Sequence, residues 1–229
     1  MDISKQVLKR SARMGVLYLV IAMVMGTVLT ATLSATSSGY QNVTSNGQTL
    51  NVRMYLEYLL VPFTAMVALI ASIPVCMLFV FDKNAGVLEY LLATGMSQRE
   101  VFRGYLNASL AIACIAMTPP VLINAAINGA SVTTGEVIGL GVLTGIAAVS
   151  LVTVLMTAFS SMQRKPTGMN SPLGISLGIF AILPELFLGA ILSSYALLFD
   201  VIIGAAVMVV ALAMLISIDR LIQREKLLP

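Results

Sequence analysis

Residues 81–106 read FDKNAGVLEYLLATGMSQREVFRGYL, a charged and capped interruption between two long apolar runs. Gly86 to Thr94 is helix-forming text, Gly95 suits the left-handed position that closes such a helix, and Ser97 opens the next one. Ser97 and Glu100 have the S-x-x-E spacing of a capping box, in which each side chain accepts from the other residue's backbone N–H. Val87, Leu88, Leu91 and Leu92 fall on one helical stripe, while Glu89 points elsewhere. The spacing predicts a small amphipathic helix in water, hinged at Gly95 to Ser97, beside a membrane.

Composition supplies the membrane. Of 229 residues, 59% are hydrophobic and 10% charged, with a mean hydropathy of +0.97, far from a soluble average. A net charge of +3 argues for no nucleic-acid partner. Histidine is absent, and the two cysteines, Cys76 and Cys114, each lie within apolar text. A disulfide framework, a His-based metal site and a His-based catalytic triad are therefore unsupported. No catalytic, cofactor-binding or metal-ligating residue is nominated.

The expected fold is an all-α integral membrane protein of six transmembrane helices in one domain, residues 1–229. Residues 1–13 read as a basic amphipathic helix along the membrane surface, with Lys5, Lys9, Arg10 and Arg13 also serving as topogenic charges. The Ala-rich text near Ala31 to Ala35 only mimics a cleavage site, so a signal peptide is not expected. Spans are placed at about 14–33, 59–81, 104–128, 137–159, 172–191 and 201–218, with a polar segment at 82–103 between the second and third. Ser34 to Arg53 reads as a solvated loop whose Asn42-Val43-Thr44 is a formal N-glycosylation sequon, more readily a chance match than a used site. Pro74, Pro119 and Pro120 mark kinks, and Glu185 with Asp200 marks an irregular, re-entrant or outer-surface piece before the sixth span.

Alternate loops then sort the cations. Lys5, Lys9, Arg10, Arg13, Lys83, Arg99, Arg103, Arg164, Lys165, Arg220, Arg224 and Lys226 fall on one side, twelve of the thirteen, and only Arg53 falls opposite. The positive-inside rule makes that side cytoplasmic, with both termini and residues 82–103 there, in a multi-pass protein of the cell membrane.

The spans carry almost no ionisable groups, which disfavours an ion-coupled carrier. No Gly is followed by Lys, so the phosphate-binding GxxxxGK[ST] loop is missing, and the chain is not expected to be an enzyme by itself. Work against a gradient would have to be powered by another subunit.

The segment resembles the cytoplasmic coupling loop of type-2 ABC exporter permeases, through Asp82, Gly86, Leu88, Glu89, Leu91, Leu92, Ala93, Thr94, Ser97, Arg99, Glu100 and Gly104. It departs from the usual text at Val87, Gly95 and Tyr105. The resemblance implies a half-transporter that pairs with a second copy of itself or a homologous permease in the lipid bilayer. It also implies docking of a separate nucleotide-binding ATPase subunit, with ATP and Mg on that partner and no cofactor on this chain. Docking would use Gly86, Val87, Leu88, Glu89, Leu91, Leu92, Arg99 and Arg103, with Gly95, Ser97 and Glu100 as hinge and cap. The competing reading packs the apolar stripe against the bundle itself. At the level of function, a non-transporting anchor or regulatory subunit of an ATPase complex is the alternative, ahead of an ion-driven carrier or channel. Met23, Met25, Met208 and Met214 could line an apolar path, but core packing explains them better.

Overall fold

A backbone in hydrocarbon must satisfy its own polar groups, so long apolar text folds as helix. The computed structural model describes residues 3–39, 43–45, 48–50, 52–128, 144–146, 148–149, 151–156 and 196–216. Within them lie α1 (Ile3–Gly39), a hairpin of β1 (Val43–Ser45) and β2 (Gln48–Leu50), α2 (Val52–Asn84), α3 (Val87–Ala93) and α4 (Gln98–Asn128). A shorter apolar helix α5 (Thr144–Met156) and an apolar helix α6 (Ala196–Ile216) follow.

Three helices of the described residues are long and apolar enough to cross a membrane: Gly15–Leu33 in α1, Phe63–Asn84 in α2 and Gln98–Ile127 in α4. The first has 19 residues, about 28 Å of rise against a hydrocarbon core of about 30 Å. The third has 30 residues, about 45 Å, which leaves some 15 Å to project. Arg99, Glu100 and Arg103 lie exposed in its first two turns, in the part of α4 that precedes the expected start of the third span at about 104. The expected fourth span overlaps α5 and the sixth overlaps α6, whereas the fifth, at 172–191, lies outside the described residues.

The core forms where α1, α2 and α4 meet. Small residues let the backbones approach: a Cβ at Gly15 would fall 2.5 Å from the Pro74 ring, one at Gly26 would fall 2.6 Å from Val67 and 3.0 Å from Pro120, and one at Gly104 would fall 2.7 Å from Ile3. Pro74 and Pro120 thus pack on glycines of α1, and helix continues through both prolines. Ala65, Ala68, Ala71, Ala108 and Ala116 add further buried small positions, and Phe79, Phe102 and Tyr105 are the largest buried aromatic side chains.

Several expectations are corrected. The N-terminal segment is not a separate surface helix but the first turns of α1, which runs unbroken into the membrane-length stretch. Its Val7 and Ser11 are buried and Ile3 seats on Gly104, so packing against α4 holds it in line. The loop at 34–53 is partly regular: α1 extends to Gly39, and β1 and β2 pair antiparallel with Val43 opposite Leu50 and Ser45 opposite Gln48. The sequence signal was Asn46-Gly47 between β-branched and polar residues, text that favours two-residue hairpins. Asn42 lies outside the described residues. Asp200 belongs to α6, which starts at Ala196, so a break before the sixth span does not reach it. Lys83 is not in a loop but in the last turn of α2, where it is buried.

Candidate functional site

The segment at 82–103 folds as α3 between the ends of α2 and α4. Gly86, at φ 74°, sits in the left-handed region that costs glycine little and opens α3. Gly95, at φ 91°, closes it. The Gly95 N–H donates to the Leu92 carbonyl at 3.1 Å and the Met96 N–H to the Leu91 carbonyl at 3.4 Å, the paired bonds of a Schellman end. Met96 packs against the core beside them, and the Thr94 hydroxyl donates to the Leu91 carbonyl at 2.7 Å.

Two residues later α4 starts. The Ser97 N–H donates to Glu100 Oε2 at 2.8 Å, and the Glu100 N–H donates to Ser97 Oγ at 3.2 Å, a closed capping box. The Ser97 backbone N–H, then its hydroxyl, and more weakly the Arg103 charge, hold the Glu100 carboxyl below the usual carboxylate range. Between the two caps only Met96 and Ser97 are non-helical and outside the Thr94–Gly95 turn. The α3-to-α4 connection is therefore short and hydrogen-bonded on both sides.

The apolar stripe faces inward. Leu88 is 1% exposed and Leu91 is also buried, both within the main core, with Val87 and Leu92 partly buried against it. Leu88 and Leu91 are thus desolvated by the chain's own bundle, the arrangement of the competing reading. The outward surface consists instead of Tyr90, at 69% exposed, with Ala93, Thr94, Arg99 and Arg103, and Glu89 at the edge. Gly86 is half-buried beneath it.

Behind α3 lies a polar cluster that reading along the chain did not find. Asp82, in the last turn of α2, is 1% exposed. It accepts from Arg10 Nη1 at 2.9 Å and Nη2 at 2.8 Å, and from the Tyr105 hydroxyl at 2.5 Å. The Arg10 fork matches the carboxylate in two parallel bonds, the arrangement that fixes orientation as well as charge. Tyr105 is held in turn by an edge-on contact with Phe79, ring centres 5.0 Å apart. One carboxylate thus ties α1, α2 and α4 together immediately before α3. Its only trace in the sequence was an acid at the very end of an apolar run; the partners stand 72 and 23 residues away.

Elsewhere in the core, Cys76 of α2 donates to Met156 Sδ of α5 at 3.6 Å, and Ser109 Oγ of α4 is buried without a hydrogen-bond partner. Cys114 is exposed on α4, and both cysteines are free thiols. Among the described residues no three His, Cys, Asp or Glu side chains gather as a metal-binding set. No protein-family model, curated protein or solved structure matches the chain.

Proposed function

We propose that this chain is the membrane-spanning permease subunit of a type-2 ABC exporter, with α3 as the helix on which a separate ATPase subunit docks. The observation that carries the reading is the division of α3 into two faces. Its inner face is spent on the chain's own core, its outer face carries one projecting tyrosine among small and polar residues, and its C-terminal end is capped and runs directly into the capping box of α4. A transmitting element needs this arrangement: firm attachment behind, an open surface in front, and little slack at the joint.

In this reading the docking surface is Tyr90, Glu89, Arg99 and Arg103, while Val87, Leu88, Leu91 and Leu92 form the base that passes force inward. Movement of α3 would reach α4 through the Gly95-to-Ser97 joint, and α1 and α2 through Asp82. ATP and Mg are bound and hydrolysed on the partner, and two permease chains pair in the bilayer. Both termini and α3 face the cytoplasm, on the charge asymmetry of twelve basic residues against one over six spans.

The test is ATPase stimulation in a complex purified with a phosphate-loop ATPase subunit, comparing the unmodified chain with Tyr90→Asp and Glu89→Arg. Loss of assembly or stimulation with normal folding is expected. Unchanged assembly together with unchanged stimulation would sink the docking reading. ATP-dependent movement of a substrate into sealed vesicles then separates an exporter from a membrane anchor.

A further inference from the structure

The α1 helix buries one face, through Val7, Ser11, Ala22 and Thr30, and leaves the opposite face open. Along that open face lie, in order, Lys5, Lys9, Arg13, Val16, Val20 and Val24, each exposed. These positions recur at three- and four-residue spacing, so they form one continuous stripe. Its upper part is apolar, and its lower part is cationic. The change occurs where the membrane-length stretch begins, at Gly15. Arg10 does not belong to the stripe, because its guanidinium is engaged by Asp82. No acidic residue occurs anywhere between Ile3 and Gly39, and among the described residues Lys9 and Arg13 make no ion pair.

From this geometry we infer that Arg13 and Lys9 form a binding site for the head group of an anionic phospholipid whose acyl chain lies along Val16, Val20 and Val24. The lipid belongs to the leaflet that α1 enters at its N-terminal end. Position along the helix selects the two cations. Arg13 lies about 3 Å below Gly15 and Lys9 about 9 Å, at 1.5 Å per residue, against a head-group layer of roughly 5–8 Å. The flexible stem of Lys9 reaches back to that layer. Lys5, about 15 Å below, stands beyond it. A surface held in line with the span, rather than folded flat along the membrane, therefore presents a two-cation site and not a four-cation patch. The inference does not depend on the transport reading.

The experiment uses the full chain in nanodiscs of phosphatidylcholine with added phosphatidylglycerol. Spin-labelled forms of each lipid report the relative affinity for the motionally restricted shell. Each cation near the surface contributes about fivefold in selectivity for the anionic lipid, from roughly 1 kcal/mol per charge. Expected are a clear preference for phosphatidylglycerol in the unmodified chain, its loss in Lys9→Gln/Arg13→Gln, and its retention in Lys5→Gln and in the charge-conserving Lys9→Arg/Arg13→Lys. High salt should erase the preference by screening, and inorganic phosphate alone should not compete, which separates a lipid site from a phosphate site. Circular dichroism confirms folding of each variant. Equal affinity for the two lipids in the unmodified chain overturns the inference. So does selectivity that survives Lys9→Gln/Arg13→Gln, or a loss in Lys5→Gln as large as in Arg13→Gln, which would reveal a diffuse field instead of a site.

Discussion

Replacing Arg10 by Met should destabilise the protein more than replacing Asp82 by Asn, although both remove the same ion pair. Asp82 is enclosed, its side chain 2% exposed, whereas the Arg10 side chain is 52% exposed. In Arg10→Met the apolar stem is kept and two charge-assisted bonds disappear, leaving a buried carboxylate with only the Tyr105 hydroxyl. Orphaning a buried charge costs about 3–5 kcal/mol, and we expect the lower end, about 3 kcal/mol, because water reaches the Arg10 side of the pair. In Asp82→Asn the half-exposed guanidinium turns to water, and the amide oxygen still accepts from Tyr105. The cost is then that of an exchanged hydrogen bond, about 1–2 kcal/mol. The double variant removes the orphaned charge, so it should be more stable than Arg10→Met alone, a rescue of about 1–2 kcal/mol in a double-mutant cycle.

Cys76 provides the assay. It is fully buried while Cys114 is exposed, so in a Cys114→Ser background the rate of thiol modification across a denaturant series reports opening of the core. Additive losses in the double variant, or an Asp82→Asn loss as large as that of Arg10→Met, would refute the argument that the enclosed carboxylate dominates the cluster.

Gly104→Ala places a Cβ 2.7 Å from Ile3 Cγ2, and should cost about 1–3 kcal/mol by overpacking; Ile3→Ala should recover most of it in the same thiol assay. Leu88→Ala should cost about 2–5 kcal/mol as a buried truncation, while Tyr90→Ala, on the open face, should change stability by less than about 0.5 kcal/mol and act only on partner binding, measured by co-purification. Ser97→Ala should loosen the start of α4 by about 0.5–2 kcal/mol, seen as faster amide exchange at Glu100. Glu100 has its carboxyl pKa lowered by the same cap, so its contribution is present above the usual carboxylate pKa and is lost as pH falls through the lower folded value. Glu100→Gln should show no such acid-dependent loosening.

How much of this was legible along the chain follows from the range of each interaction. The capping box, the left-handed glycine and the amphipathic stripe involve residues within five positions of one another, so residue type and spacing suffice to place them. The same holds for apolar length: an uninterrupted apolar run of 19 residues from Gly15 to Leu33 has the length of a helix that can cross a bilayer core. Asn46-Gly47 is an equally local signal for the hairpin, set within polar text that reads as loop.

Which way the 82–103 segment turns its stripe was a different kind of question. Helical periodicity states that Val87, Leu88, Leu91 and Leu92 share a side, but not whether that side meets a partner or the chain's own bundle. Only the packing of α3 against α2 and α4 decided it, burying Leu88 and Leu91 and leaving Tyr90 as the projecting group. The Arg10–Asp82–Tyr105 cluster was likewise invisible, because its members come from three helices and each has an adequate local explanation as a topogenic or interfacial residue. Sequence alone determined that 81–106 is a capped, amphipathic interruption between helices long and apolar enough to cross a membrane, since local hydrogen bonding and periodicity carry that information. Tertiary structure decided which of its faces remains open and what anchors it, since burial and charge pairing depend on residues brought together from distant parts of the chain.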